Sequence, residues 1–534
     1  MKQISKYLCL LAAILIAACA SAQHNPRVNT QYGALEGLYK SGLNVFLGVP
    51  YAQPPVGNLR WVEPQPLKGW QGVRQAKDYG PNPMQEDLYG DMAFNTKKMS
   101  EDCLYLNIWS PAKNFNEKLP VFIYFNGGGL TTGSGSEPRY DGAVLARKGI
   151  VTITANYREG IFGFFAHKDL SKESSYKGSG NYGYMDQAAA IKWVKDNIAA
   201  FGGDPNRITI MGESAGSRSV SAQMVSPLSK GNFAQAMGSS AAVVGSKVLT
   251  LKEAEKAGEE LMKKIGCKSI KEMRAMDATE LTKKAHMTSV PVVIDGHFMV
   301  EDPNETYAKG QQAQVPLLVG FNNCEFPMMW RLGGKAPTVE NVKAAIAPTF
   351  GDKAGEVVNI FGINSDADVL KDGGNWLSSA MFVVYPTWKW SQMHRATCSQ
   401  PVYRYLFTRA RPDMRENKEA MLAGGTREST KKAPRMPGAV HSADIEYEMG
   451  NLPTNRVYDW EPEDYAASNV FIDFFANFIK TGNPNGLGLP EWTPTNGQAV
   501  PPVMHIGVES GQQTDAQLEQ RLKQYGEIFE ATLK

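Results

Sequence analysis

An α/β architecture with a large, mostly parallel central sheet is predicted by three stretches of this chain. Val121-Phe122-Ile123-Tyr124-Phe125 is a continuous apolar run, the pattern of a strand buried on both faces. Ile150-Val151-Thr152-Ile153-Thr154-Ala155-Asn156-Tyr157 repeats it. The third run, Arg207 to Met211, ends on Gly212-Glu213-Ser214-Ala215-Gly216 and passes into Ser217 to Ala222, which reads as strand, sharp turn and helix. Between the second and third runs, Tyr184 to Phe201 places Ala188, Ile191, Trp193, Val194 and Ile198 at amphipathic helical spacing. Strand, helix and strand with apolar strands imply crossover helices on both faces of a twisted parallel sheet.

The chain has 534 residues, 43% hydrophobic and 21% charged, the composition of a globular protein with a large core. Its 56 basic and 54 acidic residues leave a net charge of +2, so there is no electrostatic footprint for nucleic acid. Lys2 and Lys6, an apolar core from Tyr7 to Ala18 and Ala20-Ser21-Ala22 predict a signal peptide over residues 1–22 and export to the periplasm or the exterior. The alternative is a lipid anchor on Cys19, since Ile16-Ala17-Ala18-Cys19 resembles a lipobox. The apolar core is shorter than a membrane span of roughly 20 residues, and no later stretch supplies a transmembrane segment. Without a convincing linker, residues 23–534 read as a single domain. Cys103, Cys267, Cys324 and Cys398 are widely spaced, which leaves both disulfides and free buried thiols open and shows no metal pattern.

From Arg27 to about Ile123, short apolar runs alternate with turn signals, as in Gly33 to Gly37 and Val45 to Ala52, which predicts an antiparallel opening. Trp61 and Trp70 read as scaffold, and Glu101 and Asp102 as a structural ion pair or cap. The strand at Val121 ends on Asn126-Gly127-Gly128-Gly129. Consecutive glycines there imply that something approaches the main chain closely, as a developing oxyanion would. Lys252 to Lys284 reads as surface helices, and Val315 to Gly320 as a further buried strand with Glu325 just beyond its carboxyl end. A mixed helical region from Asn341 to Gln392, rich in aromatic residues, precedes the strand Val402 to Phe407. A long polar stretch, Thr408 to Pro437, leads to Gly438-Ala439-Val440-His441; helices follow at Ala466 to Lys480 and Asp515 to Lys534.

A serine hydroxyl needs a base and an oriented carboxylate to act as a nucleophile. Ser214, Glu325 and His441 stand in the order serine, acid, histidine, which differs from the orders of the chymotrypsin and subtilisin types. His167, His286, His297, His394 and His505 lack comparable surroundings and are given no role.

These motifs, with Phe46 to Ala52, Glu101 to Asn107, Asn156-Tyr157-Arg158, Gly180 to Gly183, Asn197 to Pro205 and Gly482 to Gly486, come in one fixed order. In that order the chain resembles the type-B carboxylesterases, the family that includes the cholinesterases. The resemblance implies an α/β-hydrolase fold and a serine carboxylic ester hydrolase working through an acyl-enzyme on a small-molecule ester, with no cofactor and no metal. Ser214 would be the nucleophile, His441 the base and acid, and Glu325 its orienting carboxylate. Gly128, Gly129 and Ala215 would form the oxyanion hole, and Arg60 with Glu101 and Arg158 with Asp186 would be structural ion pairs. An amidase or carbamate hydrolase on the same triad, or a non-catalytic binding protein on the same fold, are the alternatives.

Three positions depart from the family pattern. Asn126 stands where His is common, Asn82 to Gln85 lacks the cysteine that usually pairs with Cys103, and Phe326 follows Glu325 where glycine is common. The last bears on how the carboxylate is presented. Aromatic residues such as Trp330 and Phe382 are candidates for the substrate pocket and equally for the core.

Overall fold

The computed structural model describes residues 25–415 and 435–533. The expected signal peptide with Cys19, and residues 416–434 of the expected polar loop, lie outside the described residues.

Eleven strands form the central sheet. In chain order they are β1 (Leu38–Lys40), β2 (Leu43–Pro50), β3 (Tyr105–Ser110), β4 (Leu119–Phe125), β5 (Val151–Ala155), β6 (Gly203–Glu213), β7 (Gln235–Ser239), β8 (Leu317–Asn322), β9 (Val402–Phe407), β10 (Val503–Ile506) and β11 (Gly511–Gln513). Their order across the sheet is β1-β2-β3-β5-β4-β6-β7-β8-β9-β10-β11. Every pair from β5-β4 through β9-β10 is parallel, while β1 to β3, the β3-β5 pair and the edge pair β10-β11 are antiparallel. The antiparallel opening is thus present. A separate small sheet, in which Gly33–Glu36 pairs antiparallel with Arg27–Thr30 and parallel with Val73–Gln75, adds one parallel pair that the turn signals did not suggest.

The strand side chains show why both faces are covered. Along β4, Val121, Ile123 and Phe125 enter one buried cluster while Phe122 and Tyr124 enter the other, the period-two alternation of a strand. Helix α1 (Tyr182–Asn197) contributes Ile191 and Val194 to the first cluster, and α2 (Ala215–Val225) contributes Val220 and Ala222. Helix α3 (Pro462–Thr481) covers the opposite face with Phe471, Phe474 and Phe475. It begins with proline at its first turn and a reciprocal cap between Glu461 and Asp464, and it stops at Gly482 with φ +77°.

Arg60 grips Glu101 through two hydrogen bonds of 2.7 and 2.6 Å, and Arg158 grips Asp186 through two of 2.8 Å. Both ion pairs have the partners that the resemblance implied. Cys103, Cys267, Cys324 and Cys398 are all free and buried, which resolves the open choice for these four thiols. The helices Leu251–Ile265, Ile270–Ala275 and Ala278–Ala285 carry their charges outward and pack Met262, Ile270, Met273 and Leu281 against Trp61 and Phe165. Among the described residues no helix is long and apolar enough to cross a membrane.

Candidate active site

Strand β6 ends at Glu213, and Ser214 turns the chain into α2 with φ +55° and ψ −121°, a backbone conformation rare for a residue with a side chain. The turn tolerates only glycine on either side. A Cβ on Gly212 would lie 2.3 Å from the carbonyl carbon of Gly216, and one on Gly216 would lie 2.1 Å from the oxygen of Phe125. The Ser214 N–H donates to the carbonyl of Ser239 at 2.8 Å, which fastens the turn to the end of β7.

Glu325 and His441 arrive from the loops that follow β8 and β9, so all three predicted residues meet beyond the carboxyl ends of parallel strands. His441 Nε2 lies 2.8 Å from Ser214 Oγ, and His441 Nδ1 lies 2.8 Å from Glu325 Oε2. The carboxylate fixes the tautomer: Nδ1–H donates to Glu325, which leaves Nε2 to accept from the serine hydroxyl. Glu325 is itself held, because its Oε1 accepts from the Asn322 N–H at 2.7 Å and from Ser240 Oγ at 2.5 Å. The His441 N–H donates to the Glu325 carbonyl at 3.0 Å, tying the two loops together. Phe326 does not disturb this presentation; its ring turns away to pack on Trp330 and Phe382. Nor is Glu325 a helix cap, since the next helix starts at Met328 behind Pro327.

Charge in the site is unusual. Burial alone would depress the His441 imidazolium, but the carboxylates of Glu213 and Glu325 outweigh it and push the group up to about 9. Glu213 Oε1 lies 3.5 Å from His441 Nε2, and burial pushes its carboxyl up to about 8 against the pull of the imidazole. The two groups face each other across 3.5 Å, so the titration of each depends on the charge of the other.

The glycine-rich turn after β4 supplies amide groups. In a trans peptide the C=O and N–H point in opposite directions. The Gly128 carbonyl accepts from the amides of Thr131 and Thr132, each at 3.1 Å, which turns the Gly129 N–H the other way. The Gly127 carbonyl accepts from Asn126 Nδ2 at 2.9 Å and so directs the Gly128 N–H. The Ser214 carbonyl accepts from the Arg218 N–H at 2.9 Å, so the Ala215 N–H projects from the free end of α2. Among the described residues none of these three N–H groups has an acceptor. Gly128 and Gly129 adopt φ +104° and +69°, and a Cβ on Gly128 would lie 1.9 Å from the Thr132 oxygen. Asn126 thus takes over the orientation of this loop, with Nδ2 also donating to Glu159 Oε1 at 3.1 Å.

A cavity of about 220 Å³ opens over Ser214 and His441, lined also by Tyr89, Met92, Gly128, Gly129, Arg218, Val290 and Phe382. Of the two aromatic candidates, Phe382 forms part of this wall and Trp330 does not. Phe382 sits in a π-helical turn, Ala380–Val384. A larger groove of about 920 Å³ lies elsewhere, between Trp109, Tyr79 and Arg147, and touches none of the three residues. Ser240, Asn322, Asn126 and Glu213 were not singled out for the site from the sequence. Two of them carried a local signal: Glu213 by its position within the Gly212 to Gly216 turn, and Asn126 as a departure from histidine before the glycines.

Comparison with known proteins gives the family and the fold. The model of the carboxylesterase family matches residues 24–525. A fumonisin B1 esterase of Sphingopyxis macrogoltabida is 42% identical over 426 residues, 75% of this chain and 74% of that protein. Human cocaine esterase is 32% identical over 92% of this chain and 89% of its own. Among solved structures, a carboxylesterase of Geobacillus stearothermophilus superposes with a TM-score of 0.78 at 30% identity, covering 93% of this chain and 99% of that one. With family model, relatives and fold in agreement, this chain belongs to the carboxylesterase family of α/β-hydrolases.

Proposed function

We propose that this enzyme hydrolyses carboxylic esters by two-step acyl transfer, with Ser214 as nucleophile, His441 as general base and then acid, and Glu325 as the carboxylate that orients His441. The observation that carries the reading is the continuous hydrogen-bonded line from Ser214 Oγ through His441 to Glu325, with 2.8 Å at each link. His441 takes the proton as Ser214 attacks the ester carbonyl. The oxyanion is received by the N–H groups of Gly128, Gly129 and Ala215. His441 returns the proton to the departing alcohol, and water repeats the sequence on the acyl-enzyme. The substrate is a small-molecule ester whose acyl or alcohol part rests against Phe382 and Val290, in keeping with their place in the cavity wall.

Residues 23–534 act as one catalytic domain, a reading supported by a sheet that draws its strands from Leu38 through Gln513. Export rests on the basic residues, apolar core and Ala20-Ser21-Ala22 of the first 22 residues. Amino-terminal sequencing of the mature protein distinguishes cleavage after Ala22 from lipidation at Cys19.

A panel of para-nitrophenyl esters of graded acyl length, run beside Ser214→Ala, tests the activity. Turnover of short and medium esters by the wild type and none by the variant is expected. Wild-type rates in Ser214→Ala, or no cleavage by either protein, would remove the assignment.

A further inference from the structure

Arg218 stands one helical turn beyond Ser214 on α2 and lines the cavity over the nucleophile. The cavity has a second guanidinium, Arg139, and the two differ in one respect. Arg139 is neutralised by Glu137 and Asp91 at 2.6 and 3.0 Å. Arg218 has no carboxylate within 4.0 Å among the described residues; its Nε, like that of Arg139, is buried without a hydrogen-bond acceptor. Arg218 is half-buried, whereas the fully buried arginines, among them Arg60, Arg158, Arg404 and Arg411, are paired with an acid.

A guanidinium whose donors are partly desolvated and unmatched is costly, and that cost is recovered when an anion docks. Its planar fork matches a carboxylate through two parallel hydrogen bonds. The acids that share the cavity do not cancel it. Asp91 is already engaged with Arg139, and Glu213 holds its proton more readily than an ordinary glutamate because it is buried. Thr288 and Ser289, on the same wall, add neutral polar groups.

From this pairing of an unmatched guanidinium with the nucleophile's cavity, we infer that Arg218 is a specificity-determining residue that binds a free carboxylate on the substrate. The preferred esters are then anionic ones, such as half-esters of dicarboxylic acids. The inference rests on the ester-hydrolase reading above and narrows its substrate class.

The test compares para-nitrophenyl hydrogen glutarate with the neutral valerate ester in the wild type, Arg218→Met and Arg218→Lys. The ratio of kcat/KM for the anionic over the neutral ester is expected to fall roughly 10- to 100-fold in Arg218→Met, mainly through KM, and to recover in part in Arg218→Lys. A butyrate ester of para-hydroxybenzoate, with the carboxylate on the alcohol side, shows which side of the substrate Arg218 reads. Calorimetric titration of free glutarate supplies a readout that needs no turnover. Glutarate binding by the wild type that is lost in Arg218→Met supports the site even if neither ester is cleaved. An unchanged ester ratio on both the acyl and the alcohol side, or equal glutarate affinity in the wild type and Arg218→Met, overturns it.

Discussion

The ring of Phe382 meets that of His441 edge to face, with 4.8 Å between centroids and 71° between planes. The same Phe382 packs on Phe326 at 5.3 Å, so the residue after the triad acid braces the triad histidine through one intervening ring. Phe382→Ala is expected to widen the cavity and to leave His441 less well held. Steady-state kinetics on an acyl series should show kcat falling several-fold on short esters, while the optimum moves toward longer or bulkier acyl groups. An unchanged chain-length profile would mean that the ring does not shape the site.

Glu325→Gln removes the charge that fixes the His441 tautomer while preserving the shape of the side chain. The rate of acylation should drop by about four orders of magnitude. Ser240→Ala, which removes one of the two donors to Glu325 Oε1, should cost far less, about tenfold, since the Asn322 N–H remains. Single-turnover measurements on both variants separate these effects from any change in binding.

In the proposed mechanism the free imidazole is the active form of His441, and the carboxylates around it favour the protonated form. The kcat/KM profile should therefore rise as pH increases through an apparent value above the ordinary imidazole range, toward about 9. Removing the neighbouring carboxylate destabilises the imidazolium and lowers that value. Glu213→Gln should accordingly shift the acid limb to lower pH by about one unit. A limb that stays in place, or moves to higher pH, would show that Glu213 does not set the histidine's charge.

Gly129 has φ +69°, and an added Cβ would lie 3.2 Å from the Tyr89 hydroxyl and 3.4 Å from Thr131 Oγ1. Gly129→Ala thus tilts one amide donor without a backbone collision. The expected result is a fall in kcat of about a hundredfold with KM little changed, and an unchanged circular dichroism spectrum.

The Arg158–Asp186 pair is buried on both sides, with side-chain exposures of 3% and 0%. Asp186→Asn leaves an uncompensated guanidinium inside the fold and should cost about 3–5 kcal/mol of stability, read from denaturant midpoints.

Much of this fold was legible in the sequence because its central strands are apolar on both faces. Val121 to Phe125 needs no context to be recognised, and in Val402 to Phe407 only Arg404 interrupts the apolar run. Strand β7, Gln235–Ser239, was not legible, because Gln-Ala-Met-Gly-Ser has neither β-branched residues nor alternation. Its place is set by neighbours: Gly238 fits there because a Cβ would lie 2.4 Å from the Trp390 ring. Strand β10, Val503–Ile506, was not singled out either, because it is only four residues long and carries the polar, half-buried His505. In the site, Ser214, Glu325 and His441 could be singled out by order and by their turns. Ser240 and Asn322 could not, because their part depends on two loops converging on one carboxylate oxygen. The polar residue Asn126 gave a signal only as a departure from histidine; its part in directing the Gly128 amide follows from a single hydrogen bond to the Gly127 carbonyl.

The claim that Ser214 is the nucleophile is tested most directly by titration with a para-nitrophenyl phosphonate, followed by peptide mass spectrometry. The account predicts a burst of about one equivalent of nitrophenolate per chain, the adduct on the peptide containing Ser214, and no burst from Ser214→Ala. An adduct on another residue, or the same burst from Ser214→Ala, would contradict it.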